Sequence, residues 1–198
     1  MPQLPYSLAV STGPTLRPVE VSDAKKQLEI ADSVNDHDAH LDSLIDLAIE
    51  CVEYDSRRAL VTQTLVQKEN CFPDGNYICI KKGPLASVTS IAYLDGDGNS
   101  QTWASSNYTV DTARKPGAIW LNYNATWPTT RGYVDDVTIT YVAGVAVTAV
   151  PQVARQAILL LVTHSFENRE PIIVGTTSKA LELSYDSLIS RLQYGSYP

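Results

Sequence analysis

The chain has little of what enzyme chemistry usually needs. Its 198 residues include three histidines, three cysteines and one methionine. There is no GxSxG elbow, no CxxC pair and no glycine loop able to cradle phosphates. Cys51, Cys71 and Cys79 are an odd set without metal-ligand spacing. Cys51 falls in a helical pattern and Cys79 in a strand pattern, which predicts reduced thiols in a core and a reducing compartment. The opening MPQLPYSLAV has no basic segment and two early prolines, so no signal peptide is expected. The longest apolar run, residues 157–162, is too short to cross a bilayer, so no membrane partner is expected.

Positive charge is also scarce. The net charge is −7 and the pI about 4.9, which excludes a protein devoted to gripping nucleic acid. The acid is concentrated. Between Glu20 and Asp55 stand eleven Asp and Glu against Lys25 and Lys26 alone, and the rest of the chain is close to neutral.

The few candidates for chemistry have plainer explanations. His37 and His40 lie with Asp36 and Asp38 at a helix start, the place for an exposed cap rather than a metal. His164 lies on a helix with Glu167 one turn on, and a hydrogen bond to a carboxylate at the helix end is expected there. The rival is a small hydrolase using His164. Asp95, Asp97 and Asn99 imitate the start of a calcium loop, but Ser100 and Ser106 stand where glycine and glutamate are needed, so a hairpin turn is predicted. Trp103, Tyr108, Trp120, Tyr123 and Trp127 are expected in a core. No catalytic residue, cofactor site or metal site is assigned.

What is present is architecture. Residues 71–99 contain two strand-like runs and three turn signals, at Pro73-Asp74-Gly75, Gly83-Pro84 and Asp95-Gly96-Asp97-Gly98. Strands are predicted over 61–68, 77–80, 88–94, 108–111, 118–121 and 137–142, the last with Val137, Ile139 and Tyr141 on one face. Residues 1–21 hold Pro2, Pro5, Pro14 and Pro18 without periodicity and read as an extended arm that lies on something or moves. Ser22 is the expected N-cap of a helix to about residue 30. A longer helix over 38–57 sets Leu41, Leu44, Ile45, Ala48 and Val52 on one stripe, and Asp42, Asp46, Glu50 and Glu53 off it.

Pro151 opens a helix over 152–168 whose run Ile158-Leu159-Leu160-Leu161-Val162 is apolar on every side, so nearly complete burial is expected, partly under a neighbouring subunit. Residues 172–179 read as a link able to swing. A last amphipathic helix over 180–193 carries Leu181, Tyr185, Leu188, Ile189 and Leu192 at helical spacing. The fold class is therefore α+β: a small bundle of three main helices plus a C-terminal helix, with an antiparallel β region inserted at 60–144. The organisation is an arm (1–21), a central domain (22–170, with helices in 22–57 and 151–168) and a linker with helix (171–198).

Six segments in order carry a family resemblance: TLRPVEVSDAKKQLEI, HLDSLIDLAIECVEYDSRRALVTQTL, FPDGNYICIKKGPLASVTSIAYLDGDGN, YTVD, VTITYVAG and VPQVARQAILLLVTHSFENRE. Over residues 15–170 the chain resembles the head–tail connector (adaptor, or head-completion) proteins of long-tailed bacteriophages and gene transfer agents. The resemblance implies a non-enzymatic virion protein, made in the bacterial host cytoplasm. It implies a ring, dodecameric like the portal above it, that extends the DNA channel and offers a platform to a tail-joining or tail-terminator protein. Genomic DNA would pass through without specific binding. A tail terminator or baseplate adaptor is the alternative virion module. Assembly that waits for the portal would leave the free chain monomeric. The arm before Thr15 and the helix after Lys179 lie outside the resemblance. The residues themselves nominate two partner surfaces: the C-terminal stripe of Leu181, Tyr185, Leu188, Ile189 and Leu192, and the acidic face of Asp42, Asp46 and Glu50. That acid could line a channel and repel DNA, or receive a basic partner.

Overall fold

The computed structural model describes residues 6–168 and 176–193, with the side chains of 176–182 outside the description. The fold is α+β, with four α-helices and two antiparallel sheets among the described residues. The chain divides into two compact units. A β unit is formed by Met1–Thr15, Thr62–Val145 and Tyr194–Pro198, and a helical unit by Leu16–Val61 and Ala146–Gln193.

In the β unit a five-stranded sheet runs β1 (Ser7–Thr12), β2 (Gln63–Glu69), β8 (Val137–Ala143), β4 (Leu85–Leu94), β5 (Ser100–Thr102). A three-stranded sheet runs β3 (Tyr77–Cys79), β7 (Ala118–Leu121), β6 (Tyr108–Asp111). The central strand β8 follows its alternation: Val137, Ile139, Tyr141 and Ala143 are buried and the residues between them half-buried. Gln67 on β2 is fully buried yet satisfied. Its amide donates to Glu69 Oε1 (2.7 Å) and to the Cys79 carbonyl (3.1 Å), and its oxygen accepts from the Lys81 N–H (2.9 Å). Those bonds tie β2 of one sheet to the end of β3 in the other. Burial pushes the Glu69 carboxyl up, and the bond from Gln67 opposes it.

Of the aromatics expected in a core, Trp103 and Tyr108 are buried, Trp120 and Trp127 are half-buried, and Tyr123 is 94% exposed. Phe72 stacks on Trp127 (5.1 Å), Trp103 lies 4.9 Å from Trp127 and 5.2 Å from Tyr108, and the Trp127 indole donates to the Gly75 carbonyl (2.6 Å). Residues 95–99 form the predicted β4–β5 turn, with Asp95 Oδ1 accepting from the N–H groups of Asp97 and Asn99.

Two strands escaped sequence reading. β1, in the stretch expected to be an arm without periodicity, pairs antiparallel with β2 at the sheet edge, with an irregularity between Val10 and Thr12. Its side chains are exposed on both faces apart from Leu8, so there was no alternation to detect. β5 is three residues long and wholly exposed.

In the helical unit α1 (Val21–Gln27) begins two residues earlier than expected, after Glu20 rather than Ser22. The Asp23 carboxylate accepts from the Glu20 N–H (3.1 Å), so the cap is closed from the third helical position. Lys25 is buried: its ammonium sits 2.6 Å from Asp38 and donates to the Asp32 carbonyl and Asn35 Oδ1, which fixes the link between helices. α2 (Asp38–Ser56) ends at Arg57 in a left-handed conformation (φ 53°). The core gathers Leu41, Ile45, Ala48 and Val52 of α2 with Ala154, Ala157, Ile158 and Val162 of α3 (Gln152–Glu167), and Ile189 and Leu192 of α4 (Thr176–Leu192).

Within the chain's own fold Leu159, Leu160 and Leu161 are half-buried, because a helix packed by one face leaves the rest of an apolar run partly outside. The remaining burial is the part expected under a neighbouring subunit. Two expectations need correction. The sequence pattern predicts a swinging link over 172–179, but 176–179 are the first turn of α4, and 172–175 lie outside the described residues. Cys51, expected in the core, is exposed, as is Cys71; Cys79 is half-buried, and all three are free.

Candidate interaction surfaces

The stripe nominated on α4 is used partly within its own unit. Ile189 and Leu192 are 6% and 2% exposed, buried among the helices of the same chain. The Leu192 carbonyl accepts from Arg58 (3.3 Å). Tyr185 is half-buried, its hydroxyl donating to Asp55 at 2.7 Å, and burial together with that carboxylate pushes the phenol well above its ordinary range. Leu188 is half-buried and lines an open groove with Val19, Lys26, Val153 and Leu159. The side chain of Leu181 lies outside the described residues.

The acidic face of α2 is not bare. Arg17 reaches it from outside the helix, with Nη1 2.5 Å from Asp42 and Nε 3.2 Å from Asp46. The hydrogen bond to Asp42, with both carboxylates nearby, holds the guanidinium's proton more firmly. Glu50 remains exposed. Beside it runs a strip that sequence reading overlooked: Leu47, Cys51 and Tyr54, at i, i+4 and i+7, with Leu47 54% and Tyr54 83% exposed. The signal was in the sequence as a second apolar row beside the core stripe. Partial burial and the charges of Asp55 and Glu50 push the Cys51 thiol up, so it is a poor nucleophile there.

The histidines have aromatic and amide neighbours in this arrangement. His37 and His40 pack against the Phe166 ring, with centroids 5.4 and 6.0 Å away. His164 is half-buried at the end of α3, where Nδ1 pairs with Asn168 Nδ2 (3.2 Å), so the partner is an amide rather than the expected carboxylate. Glu167 is exposed.

A positive surface also went unnoticed. In the three-stranded sheet Cys79 and Asp111 both pair with Ala118, so the ends of β3 and β6 and the start of β7 coincide. The Ile80 N–H donates to the Gly117 carbonyl (3.0 Å) just beyond. This gathers Lys81, Lys82, Arg114 and Lys115 at one end of the sheet. They are four of the six Lys and Arg in Thr62–Val145. Arg114 pairs with Asp111 (2.9 Å) and lies over the Trp120 ring (4.8 Å), which stacks on Tyr77 (4.7 Å). Only the strand register makes neighbours of two lysines and a basic pair so far apart in sequence.

No protein-family model matches the chain, and no curated protein matches its sequence. Solved structures do match. A chain of a native gene transfer agent virion superposes with a TM-score of 0.78 at 19% identity, covering 96% of this chain and 97% of that one. A chain from the neck of an empty gene transfer agent particle, computed with C6 symmetry, gives 0.78 at 21% identity, with 97% of both chains covered. Another, from the neck of a native particle computed with C12 symmetry, gives 0.73 at 22%, again with 97% of both covered. At such identities the likeness is one of fold, and it extends over nearly the whole of each chain.

Proposed function

We propose that this chain is a structural, non-catalytic component of the neck of a bacteriophage or gene transfer agent particle. In this reading copies form a ring between the portal and the tail, extending the DNA channel and offering the platform on which a tail-joining or tail-terminator protein docks. The observation that carries the proposal is the likeness of fold, over 97% of both chains, to chains of gene transfer agent necks. The C12 and C6 symmetries of those necks favour a ring, dodecameric if it follows a twelve-fold portal.

The chemistry of the chain supports a passive channel component. A net charge of −7 gives little counterion-release affinity for duplex DNA, so DNA can slide past without sticking. Deleting the gene from a producing cell tests the reading. Filled heads and complete tails that no longer join are expected, with joining restored by the gene in trans. Normal joined particles would overturn it.

A further inference from the structure

Two surfaces of opposite charge lie on different units of the same chain. On α2 the exposed strip of Leu47, Cys51 and Tyr54 is edged by Glu50 and Asp46. Residues 16–61 and 146–193, which include it, hold nine Lys and Arg against fifteen Asp and Glu. In the β unit Arg114 and Lys115 are exposed and Lys81 and Lys82 half-buried at one end of the small sheet, beside the partly exposed aromatic pair Tyr77 and Trp120. Each surface offers an apolar or aromatic component next to charge that is mostly of one sign, with Asp46 paired to Arg17 on the first and Arg114 to Asp111 on the second.

We propose that these two surfaces are the two halves of one head-to-tail contact: the strip on α2 of one copy receives the basic, aromatic end of the β3–β7–β6 sheet of the next. The inference rests on the ring reading and deepens it. A ring requires a heterologous contact, made from two different patches, because a patch that pairs with itself closes a dimer instead. Charge complementarity selects the partner patch, and opposite potentials also set the direction of assembly. Duplex DNA is the competing occupant of the basic end. It fits less well, because the chain as a whole is acidic and phosphates would leave the apolar strip on α2 uncovered.

The test uses the full chain and two charge-reversed variants, R114E/K115E and L47K/E50K, all at exposed positions. Sedimentation velocity at low salt, where charge pairs are least screened, follows self-association up to a few hundred micromolar. The free chain is expected to be monomeric at dilute concentrations and to associate weakly only toward the top of this range. Each variant alone should associate at least about tenfold more weakly, since like charges now face each other. An equal mixture of the two should recover association, because each reversed surface now meets its complement on the other variant. The milder Y54A and K115A variants, checked for unchanged melting, cover the case in which a reversal impairs folding. No association by wild type, variants that match it, or a mixture that recovers nothing would overturn the contact. A duplex-DNA gel shift abolished by R114E/K115E would assign the basic end to phosphates and overturn it as well. Failure here is separable from failure of the neck reading. Variants that still join heads to tails sink only the contact, whereas a wild-type chain absent from the neck sinks the ring itself.

Discussion

The helical unit and the β unit solve the burial problem differently. The β unit takes its core from strand alternation and an aromatic cluster, and its charge is almost balanced, with six Lys and Arg against seven Asp and Glu in Thr62–Val145. The helical unit packs one face of each helix inward and carries nearly all of the net negative charge on the outside. Both units keep large apolar groups outside: Leu47, Tyr54 and Leu183 of the helical unit and Val10, Tyr123, Tyr133 and Val134 of the β unit are more than half exposed. The two units therefore differ in how they fill a core and where they carry charge, and each leaves apolar side chains uncovered.

The largest break in that comparison should come from Leu192→Asp. This side chain is 2% exposed, and a carboxylate in its place has no partner to offset burial. A loss of about 3–5 kcal/mol is expected from an uncompensated buried charge. It should be read from the far-UV helical signal, since all three tryptophans lie in the β unit and report on that unit by fluorescence.

Gly117→Ala strikes the other unit. A Cβ at this position would lie 2.6 Å from Leu85 Cβ, so the β6–β7 connection and β4 must separate. Overpacking of this kind costs about 1–3 kcal/mol, and tryptophan fluorescence during urea unfolding should show it. An unchanged midpoint would mean that the close approach is not required.

Asp136 gives a pH signature to the β unit. It is buried, and although burial alone would raise its pKa, the bonds from the Tyr133 N–H (2.8 Å) and Arg131 (3.2 Å) outweigh that and hold the carboxyl below its ordinary value. A depressed folded-state pKa gives stability that is present above the unfolded value near about 4 and lost as pH falls through the folded one. Asp136→Asn should therefore destabilise the chain at neutral pH, by about 1–2 kcal/mol for the lost charge-assisted bonds, with the gap to wild type closing below pH about 4. A gap independent of pH would contradict the assignment.

The smallest effect belongs to the outer face of α2. Leu47→Ser and Tyr54→Ser should change stability by no more than about 0.5 kcal/mol, as exposed substitutions do. Chemical denaturation of the pair checks this, and a loss above about 1 kcal/mol would show that the strip serves the fold of the free chain rather than a partner.

Much of this was legible in the residues. β8 and the inner stripe of α2 show their periods because one face of each is buried and the other is not. Strand ends at Tyr108–Asp111 and Ala118–Leu121 followed from turn residues on both sides. β1 was illegible because an edge strand with solvent on both faces has no pattern. The depth of Ile189 and Leu192 was equally hidden: spacing shows that a stripe must be covered, and only packing shows that the chain's own helices cover part of it. Arg17 and Lys81 gain their meaning from neighbours distant in sequence, Asp42 in one case and Arg114 in the other, which composition alone cannot bring together.

The central claim is the place of the chain in a particle, and cryo-electron microscopy of purified particles tests it most directly. The account predicts a ring of density below the portal, twelve-fold or a sub-multiple of it, into which both units of this fold fit copy by copy with the DNA channel open through the centre. Density for this fold elsewhere in the particle, at the capsid wall or the tail tip, or particles with joined tails that lack the chain altogether, would contradict it.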